Sequence, residues 1–251
     1  MTGATSPGPA VAGSASLRQP DYWWYRARAQ LLEAALGGFL GRPSQVLDVG
    51  SADGPSVGWM AGPHRRFTID VDPRGLRPGE SVCASALALP FRSGVFDVVG
   101  AFDVLEHCEP EQQAVDELVR VLVPGGRLLM SVPAYQWAWT DHDVVAGHHR
   151  RYTQRRVEAV LREAGLTVLR STHAFAGVFG FFVAERAARR VRPRPADGDT
   201  RLTPVPPALD RVLMGLSGVE SRLLANHDMW FGSSVLLAAE KPAAEKPAAA
   251  L

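Results

Sequence analysis

Val46-Leu47-Asp48-Val49-Gly50-Ser51-Ala52-Asp53-Gly54 is a short apolar run broken by one acid and closed by a small-residue turn. It reads as a buried parallel strand feeding a helix, the pattern of a sheet covered on both faces. About twenty residues on, Ile69-Asp70-Val71-Asp72-Pro73 closes a second apolar run with carboxylates. An open α/β sheet holds a nucleoside with these two parts. The turn lets the ligand approach the backbone, and the second acid receives ribose hydroxyls.

Strands and helices alternate outward from this pair. Asp21 is the expected N-cap of a helix that opens with Tyr22-Trp23-Trp24-Tyr25 and runs to about Leu40, where Gly41-Arg42-Pro43 stops it. Strands are expected at 46–49, 67–70, 82–84, 96–102, 128–132, 166–170 and 233–239. Between them, Glu109–Leu122 forms an amphipathic helix with Val115, Leu118, Val119 and Leu122 on one stripe. Pro124-Gly125-Gly126 is a turn, and Thr153 caps a helix that ends at Gly165. Such alternation predicts a parallel sheet with helices on both faces. The connection from about 172 to 230 is unusually long. It carries an apolar helix from Phe175 to about Val191, an Arg/Pro-rich linker, and a second helix from about Ala208 to Ala225. A helical cap over the site is expected there. The organisation is therefore a disordered segment over 1–17, one domain over 18–240 and a solvated tail over 241–251.

Bulk properties exclude several function classes. The 251 residues are 46% hydrophobic, enough for a large core without disulfides. A net charge of +1 makes no electrostatic case for nucleic acid. The cations are almost all arginine, since Lys241 and Lys246 are the only lysines. Cys83 and Cys108 are too few for a disulfide framework, which suits a reducing cytoplasm. No signal-peptide pattern opens the chain, and its longest apolar run, 174–184, is short of the ~20 residues a spanning helix needs. A soluble, cytoplasmic protein is expected.

The order of the motifs resembles the class I S-adenosylmethionine-dependent methyltransferases, in the branch called methyltransferase type 11. The resemblance covers about 44–170. It rests on Val-Leu-Asp-Val-Gly, Ile-Asp-Val-Asp-Pro, Ala88-Leu89-Pro90-Phe91 before Phe96-Asp97-Val98-Val99, Val104-Leu105-Glu106-His107, and Val123-Pro124-Gly125-Gly126. The aromatic-arginine helix Trp23-Trp24-Tyr25-Arg26-Ala27-Arg28 is also common there. The resemblance implies a Rossmann-like seven-stranded sheet of order 3-2-1-4-5-7-6 with strand seven antiparallel, and S-adenosylmethionine as cofactor. Two departures stand out. Ala52 replaces a glycine of the usual turn, and Ser85 stands where an acid often meets the adenine amine.

Candidate roles follow, each with a plainer alternative. Asp72 is assigned to the ribose hydroxyls, or else caps a helix. Asp48 organises the turn or receives the methionine ammonium. Gly50, Ser51, Ala52 and Gly54 line the cofactor turn, and Ser85 accepts one hydrogen bond. Asp103 meets the methionine portion or caps the surface, while Asp97 is a strand-end anchor. The loop after strand five, from Pro133 to Tyr152, contains three of the seven histidines, and His107 is a fourth nearby. Loops at this end of the sheet face the ligand crevice. His142 and His148 are the candidate proton acceptors, with Asp141 or Asp143 orienting them, or the segment simply anchors the next helix. No spacing matches a dedicated metal-ligand motif, so no metal is expected. Trp23, Trp24, Tyr25, Trp137 and Trp139 form an aromatic wall for the acceptor, or pack as core. Tyr135 and His149 line the same side, and Arg150 and Arg151 clamp an acceptor anion or lie solvated. The helix at 175–191, ending in Arg186, Arg189, Arg190 and Arg192, covers the pocket or rests through 175–192 on an anionic membrane.

The expected reaction is methyl transfer to a small-molecule or lipid/glycan-pathway acceptor, at oxygen or nitrogen. The Asp-His-Asp…Gly-His-His-Arg-Arg-Tyr pattern resembles a subgroup often found near glycosyltransferase and polyprenol-pathway genes. One alternative is a non-catalytic, membrane-associated protein that only binds the cofactor. Another is an NAD(P)-dependent oxidoreductase, although the turn lacks Gly-x-Gly-x-x-Gly.

Overall fold

A computed structural model describes residues 19–50, 54–76, 81–191 and 204–243. The expected disordered segment, most of the tail, and the turn residues Ser51 and Ala52 lie outside these ranges. Seven strands form one sheet in the order β3-β2-β1-β4-β5-β7-β6. They are β1 Gln45–Val49, β2 Arg65–Asp70, β3 Ser81–Cys83, β4 Phe96–Phe102, β5 Leu122–Pro133, β6 Thr167–Ala174 and β7 Ser234–Glu240. All neighbouring pairs from β3 to β5 are parallel, and β7 runs antiparallel to both β5 and β6.

Period-two alternation divides the central strands between two cores. Leu47, Val49, Val99, Ala101, Leu128 and Met130 face one layer, which contains α2 (Glu111–Val121) and α4 (Gln154–Glu163). Val46, Val98, Phe102 and Leu129 face the other, against α1 (Trp23–Leu40). The α1 side chains Leu31, Leu32 and Leu36 are fully or almost fully buried there, each contributing about 1.5–3 kcal/mol. Asp48 and Ser131 fall on this α1 face by the same alternation, which is why polar groups occur under α1 at all.

Several expectations are corrected. Tyr22, not Asp21, is the N-cap of α1, and it makes no side-chain cap bond. β5 does not begin after Pro124-Gly125-Gly126. Leu122 already pairs with Phe96, and the register shifts before Val98, so the glycines form a bulge within the strand. β6 extends four residues beyond Arg170, because β7 offers ladder partners as far as Ser234. Lys241 is anchored, not a solvated tail residue: its Nζ donates to the carbonyls of Val119 and Leu122 at 2.8 Å each. The strand-end anchor reading of Asp97 holds, since its Oδ2 accepts the amides of Ser44 and Gln45 at 2.7 and 2.9 Å.

The two helices of the long connection part company. α5 (Phe179–Val191) lies by the loop after β5, whereas α6 (Pro207–Leu224) lies along α1. Ser217, Glu220 and Leu224 are the buried residues of α6, and Arg26 on α1 pairs with its Asp210 at 2.5 Å. Among the described residues, no helix is long and apolar enough to cross a membrane.

Candidate functional site

Four strands of the same orientation end at one edge of the sheet, and each is followed within two residues by one with left-handed backbone. These are Gly50 after β1, Asp103 after β4, Tyr135 two residues beyond β5, and Phe175 after β6, with φ of 76°, 56°, 64° and 65°. Left-handed backbone disfavours any residue with a Cβ, most of all a bulky one, and such strain gathers at functional sites. At Gly50 space is also short, since an added Cβ would lie 2.5 Å from Val104 Cγ2.

Beside Gly50 lies a small cleft lined by Arg28, Asp48, Val49, Gly50, Ser56, Val57 and Phe102. Arg28 reaches across from α1, pairing with Asp103 Oδ2 at 3.0 Å and donating to Ser131 Oγ at 3.3 Å. Ser131 Oγ donates in turn to Asp103 Oδ1 at 2.7 Å. Asp48 is buried and bound by Arg66 of β2 at 2.5 Å. The buried hydroxyl of Ser56 has no partner among the described residues.

The second acidic element is resolved differently from the sequence expectation. β2 ends at Asp70, so the carboxylate at the strand tip is Asp70 and Asp72 lies two residues beyond it. Asp72 caps a one-turn 3-10 helix by accepting from the Arg74 amide at 3.0 Å, and the Arg74 guanidinium binds its carboxylate. The Arg74 hydrogen bond holds its pKa below the ordinary carboxylate value. Asp70 Oδ1 accepts the amide of Asp72 at 2.7 Å, which fixes its rotamer at the tip. Ser85 accepts the amide of Leu87 at 3.2 Å, a local turn bond that competes with any ligand for the hydroxyl.

The histidine loop is built on a buried acid. α3 (Asp141–Val145) opens with a capping box between Thr140 and Asp143. Asp143 Oδ1 also accepts from Arg151 Nε at 2.8 Å and from His148 Nδ1 at 3.0 Å. Burial alone would raise its pKa, but the His148 and Arg151 hydrogen bonds hold it well below the usual range. Asp143, rather than Asp141, is therefore the carboxylate that orients a histidine. The ring of His107 meets that of His148 edge to face, with centroids 4.6 Å apart. Desolvation by the surrounding protein, then the charge of His148, pulls His107 down to about 4. Desolvation likewise lowers His142. Both rings are neutral at pH 7.

The aromatic residues form two groups instead of a single wall. Tyr25 is buried at 8% exposure, Trp23 packs against the α1 core, and Trp24 stacks on Phe175 at 5.7 Å. Farther along the rim, Tyr135 stacks on Trp137 at 5.5 Å and on His173 at 5.7 Å. Phe179 and Phe182 of α5 meet Trp137 there. Trp139 is half-buried at the end of a 3-10 turn, and His149 is exposed. Neither arginine is a ready anion clamp. Arg150 donates to the Cys108 carbonyl at 2.7 Å and pairs with Glu109 and Glu111, while Arg151 is buried on Asp143.

Residues 47–130 match the type 11 methyltransferase-domain family. An uncharacterized methyltransferase of Mycolicibacterium gilvum (strain PYR-GCK) is 30% identical over 186 residues, covering 62% of this chain and 69% of that protein. The chain belongs to the class I S-adenosylmethionine-dependent methyltransferases. A similar uncharacterized methyltransferase of Mycobacterium leprae (strain Br4923) is 29% identical over 114 residues, covering 41% of this chain and 42% of that protein's length. The methyltransferase fold matches that of the N-methyltransferase NodS from Bradyrhizobium japonicum WM9, solved with S-adenosyl-L-homocysteine. The TM-score is 0.54, with 19% identity, covering 92% of this chain and 94% of NodS.

The chemistry of the cleft lining suits the methyl donor of this family. Asp48 lines it and Asp103 stands on Arg28 beside it, two carboxylates that suit a cationic ligand. Arg28 complements a carboxylate, the partnerless Ser56 hydroxyl awaits a polar ligand atom, and Gly50 keeps the floor open. Sequence reasoning gave no role to Arg28, Ser56 or Asp70. Arg28 was visible only as part of an aromatic-arginine string, and Ser56 has no local signature. Asp70 was legible as the acid that closes the apolar run.

Proposed function

We propose that this methyltransferase acts on a hydroxyl oxygen or amine nitrogen of a small acceptor, bound between the strand tips and the aromatic group around Tyr135. The observation that carries the reading is the Arg28–Asp103–Ser131 set. It joins the donor cleft under α1 to the loops after β4 and β5 where the acceptor approaches. S-adenosylmethionine supplies an already activated methyl group on a sulfonium. The chain's part is to bind, align and exclude water. Asp70, at the tip of β2, takes the ribose hydroxyls in this reading, and Asp72 supports the turn that follows. Arg28 takes the donor carboxylate. Tyr135, Trp137, Phe179 and Phe182 offer a flat, apolar surface to the acceptor, which suits a small molecule or the apolar part of a lipid-linked glycan precursor. His142, neutral at pH 7, accepts the proton of an acceptor hydroxyl.

The test is transfer of label from methyl-tritiated donor into the small-molecule fraction of a bacterial extract, with wild-type protein and His142→Ala. The expected result is a labelled product whose formation falls about 10²-fold or more in the variant, with S-adenosylhomocysteine binding unchanged. No labelled product from protein that binds S-adenosylhomocysteine would refute catalysis. Equal turnover by the two proteins would remove His142 from the chemistry.

A further inference from the structure

Glu106 is fully buried, and neither carboxylate oxygen has a hydrogen-bond partner on any other described residue. The other acids nearby are matched: Asp103 with Arg28, Asp143 with Arg151, and Glu111 with Arg150 and Arg156. Arg28 and Arg151 act on it only through space, and a buried carboxylate with no hydrogen-bond or ion-pair partner is costly and is retained where something else neutralises it. Ligand atoms of Glu106, His107 and His148 all lie within 4.8 Å of one another. We propose that Glu106, His107 and His148 form a binding site for a divalent first-row cation, beside the donor cleft.

The histidines are prepared for this role. Ionised Asp143 can only accept, so His148 donates from Nδ1 and keeps the Nε2 lone pair for a cation. One His107 ring nitrogen is hydrogen-bonded to the backbone of Gly147, which leaves the other available. The backbone also ties the two halves of the site together, since the His149 amide donates to the Glu106 carbonyl at 2.7 Å. Two imidazoles and one carboxylate suit zinc or manganese better than magnesium or calcium. Three protein ligands leave coordination positions open, as catalytic sites do. One consequence rests on the methyl-transfer reading: an acceptor oxygen bound there is acidified beside the donor, which favours hydroxyl-bearing acceptors over amines. His148 then serves as a ligand, and His142 remains for the proton.

The experiment is calorimetric titration of tag-free protein with zinc and manganese chlorides, with magnesium as the control, followed by metal analysis after dialysis. Glu106→Gln, which keeps the side-chain shape, and His107→Ala, at an exposed position, are titrated in parallel. Each protein is also titrated with S-adenosylhomocysteine. The expected result is about one retained equivalent of zinc or manganese in wild type. Affinity falls at least about tenfold in both variants, while S-adenosylhomocysteine binding persists. Absence of retained metal in wild type, or undiminished retention in folded Glu106→Gln, overturns the site. Loss of S-adenosylhomocysteine binding in wild type with metal retained would instead strike the methyl-transfer reading and leave the cation site standing.

Discussion

Arg28→Met removes a guanidinium from beneath α1 while leaving a stem of similar length in place. In the structure that guanidinium pairs with Asp103 at 3.0 Å, donates to Ser131 at 3.3 Å and lies 5.2 Å from the centroid of the Trp24 ring. The Arg28 side chain is 10% exposed and that of Asp103 24%. The pair therefore falls between an exposed ion pair, worth about 0–1 kcal/mol, and a fully buried one whose disruption costs 3–5. About 2 kcal/mol is appropriate, and the cation–π contact adds ~0.5–1. A loss of about 2–3 kcal/mol lowers Tm by roughly 5–10 °C in a domain of this size. A structural arginine would do no more than this. An arginine that also holds the donor's carboxylate forfeits a charge-assisted interaction of ~1.5–3 kcal/mol, so the Kd for S-adenosylhomocysteine rises about tenfold to 150-fold. Calorimetric titration well below Tm separates the two effects. Arg28→Lys, which keeps the charge but not the planar fork, falls between wild type and methionine. Unchanged affinity in folded Arg28→Met would refute the assignment of Arg28 to the donor.

Asp70→Asn is expected to weaken S-adenosylhomocysteine binding by ~1.5–3 kcal/mol and Asp72→Asn by much less; the reverse order in a binding titration restores Asp72 as the ribose ligand. Gly50→Ala places a methyl 2.5 Å from Val104 Cγ2 at φ 76°, costing about 2 kcal/mol or more. Denaturant melts should show partial rescue by Val104→Ala, and a neutral Gly50→Ala would contradict the turn geometry. Glu117 accepts from Arg120 at 2.6 and 2.8 Å and from the Leu89 amide at 2.7 Å, and the Arg120 hydrogen bond lowers its pKa from 4.5. A depressed folded-state pKa means the stabilisation is complete above the unfolded value and disappears as pH falls through the folded one. Glu117→Gln should therefore cost ~1–2 kcal/mol at neutral pH, with the gap to wild type narrowing in urea melts as pH falls below the ordinary carboxylate range. A constant gap would exclude the ionised carboxylate as its source.

Much of the fold was legible because it is written in local pattern. The apolar runs at Val46–Val49 and Phe96–Phe102 are buried central strands, and Thr153 caps α4 by accepting the Arg156 amide. What local pattern could not show are facts of pairing and layering. The Pro124-Gly125-Gly126 turn sits inside β5 because Phe96 recruits Leu122 across the bulge. The second inserted helix lies along α1 because Ser217, Glu220 and Leu224 supply one buried line, a choice with no signature in the helix alone. The site divides the same way. Gly50, Asp103 and the Asp143–His148 pair follow from position at strand tips and in the β5 loop. Arg28 and Glu106 became informative only when their surroundings showed one reaching into the cleft and the other without a counter-charge.

The left-handed residues along the rim also bear on how this enzyme would respond to engineering. Asp103, Tyr135 and Phe175 together hold a few kcal/mol of conformational tension, at about 1–2 kcal/mol each. Glycine would relax the backbone at these places, but at Asp103 it would break the pair with Arg28 and at buried Phe175 it would leave a cavity, which costs more than the tension released. Stabilising substitutions are therefore expected elsewhere, and denaturant melts of Phe175→Gly should show a net loss.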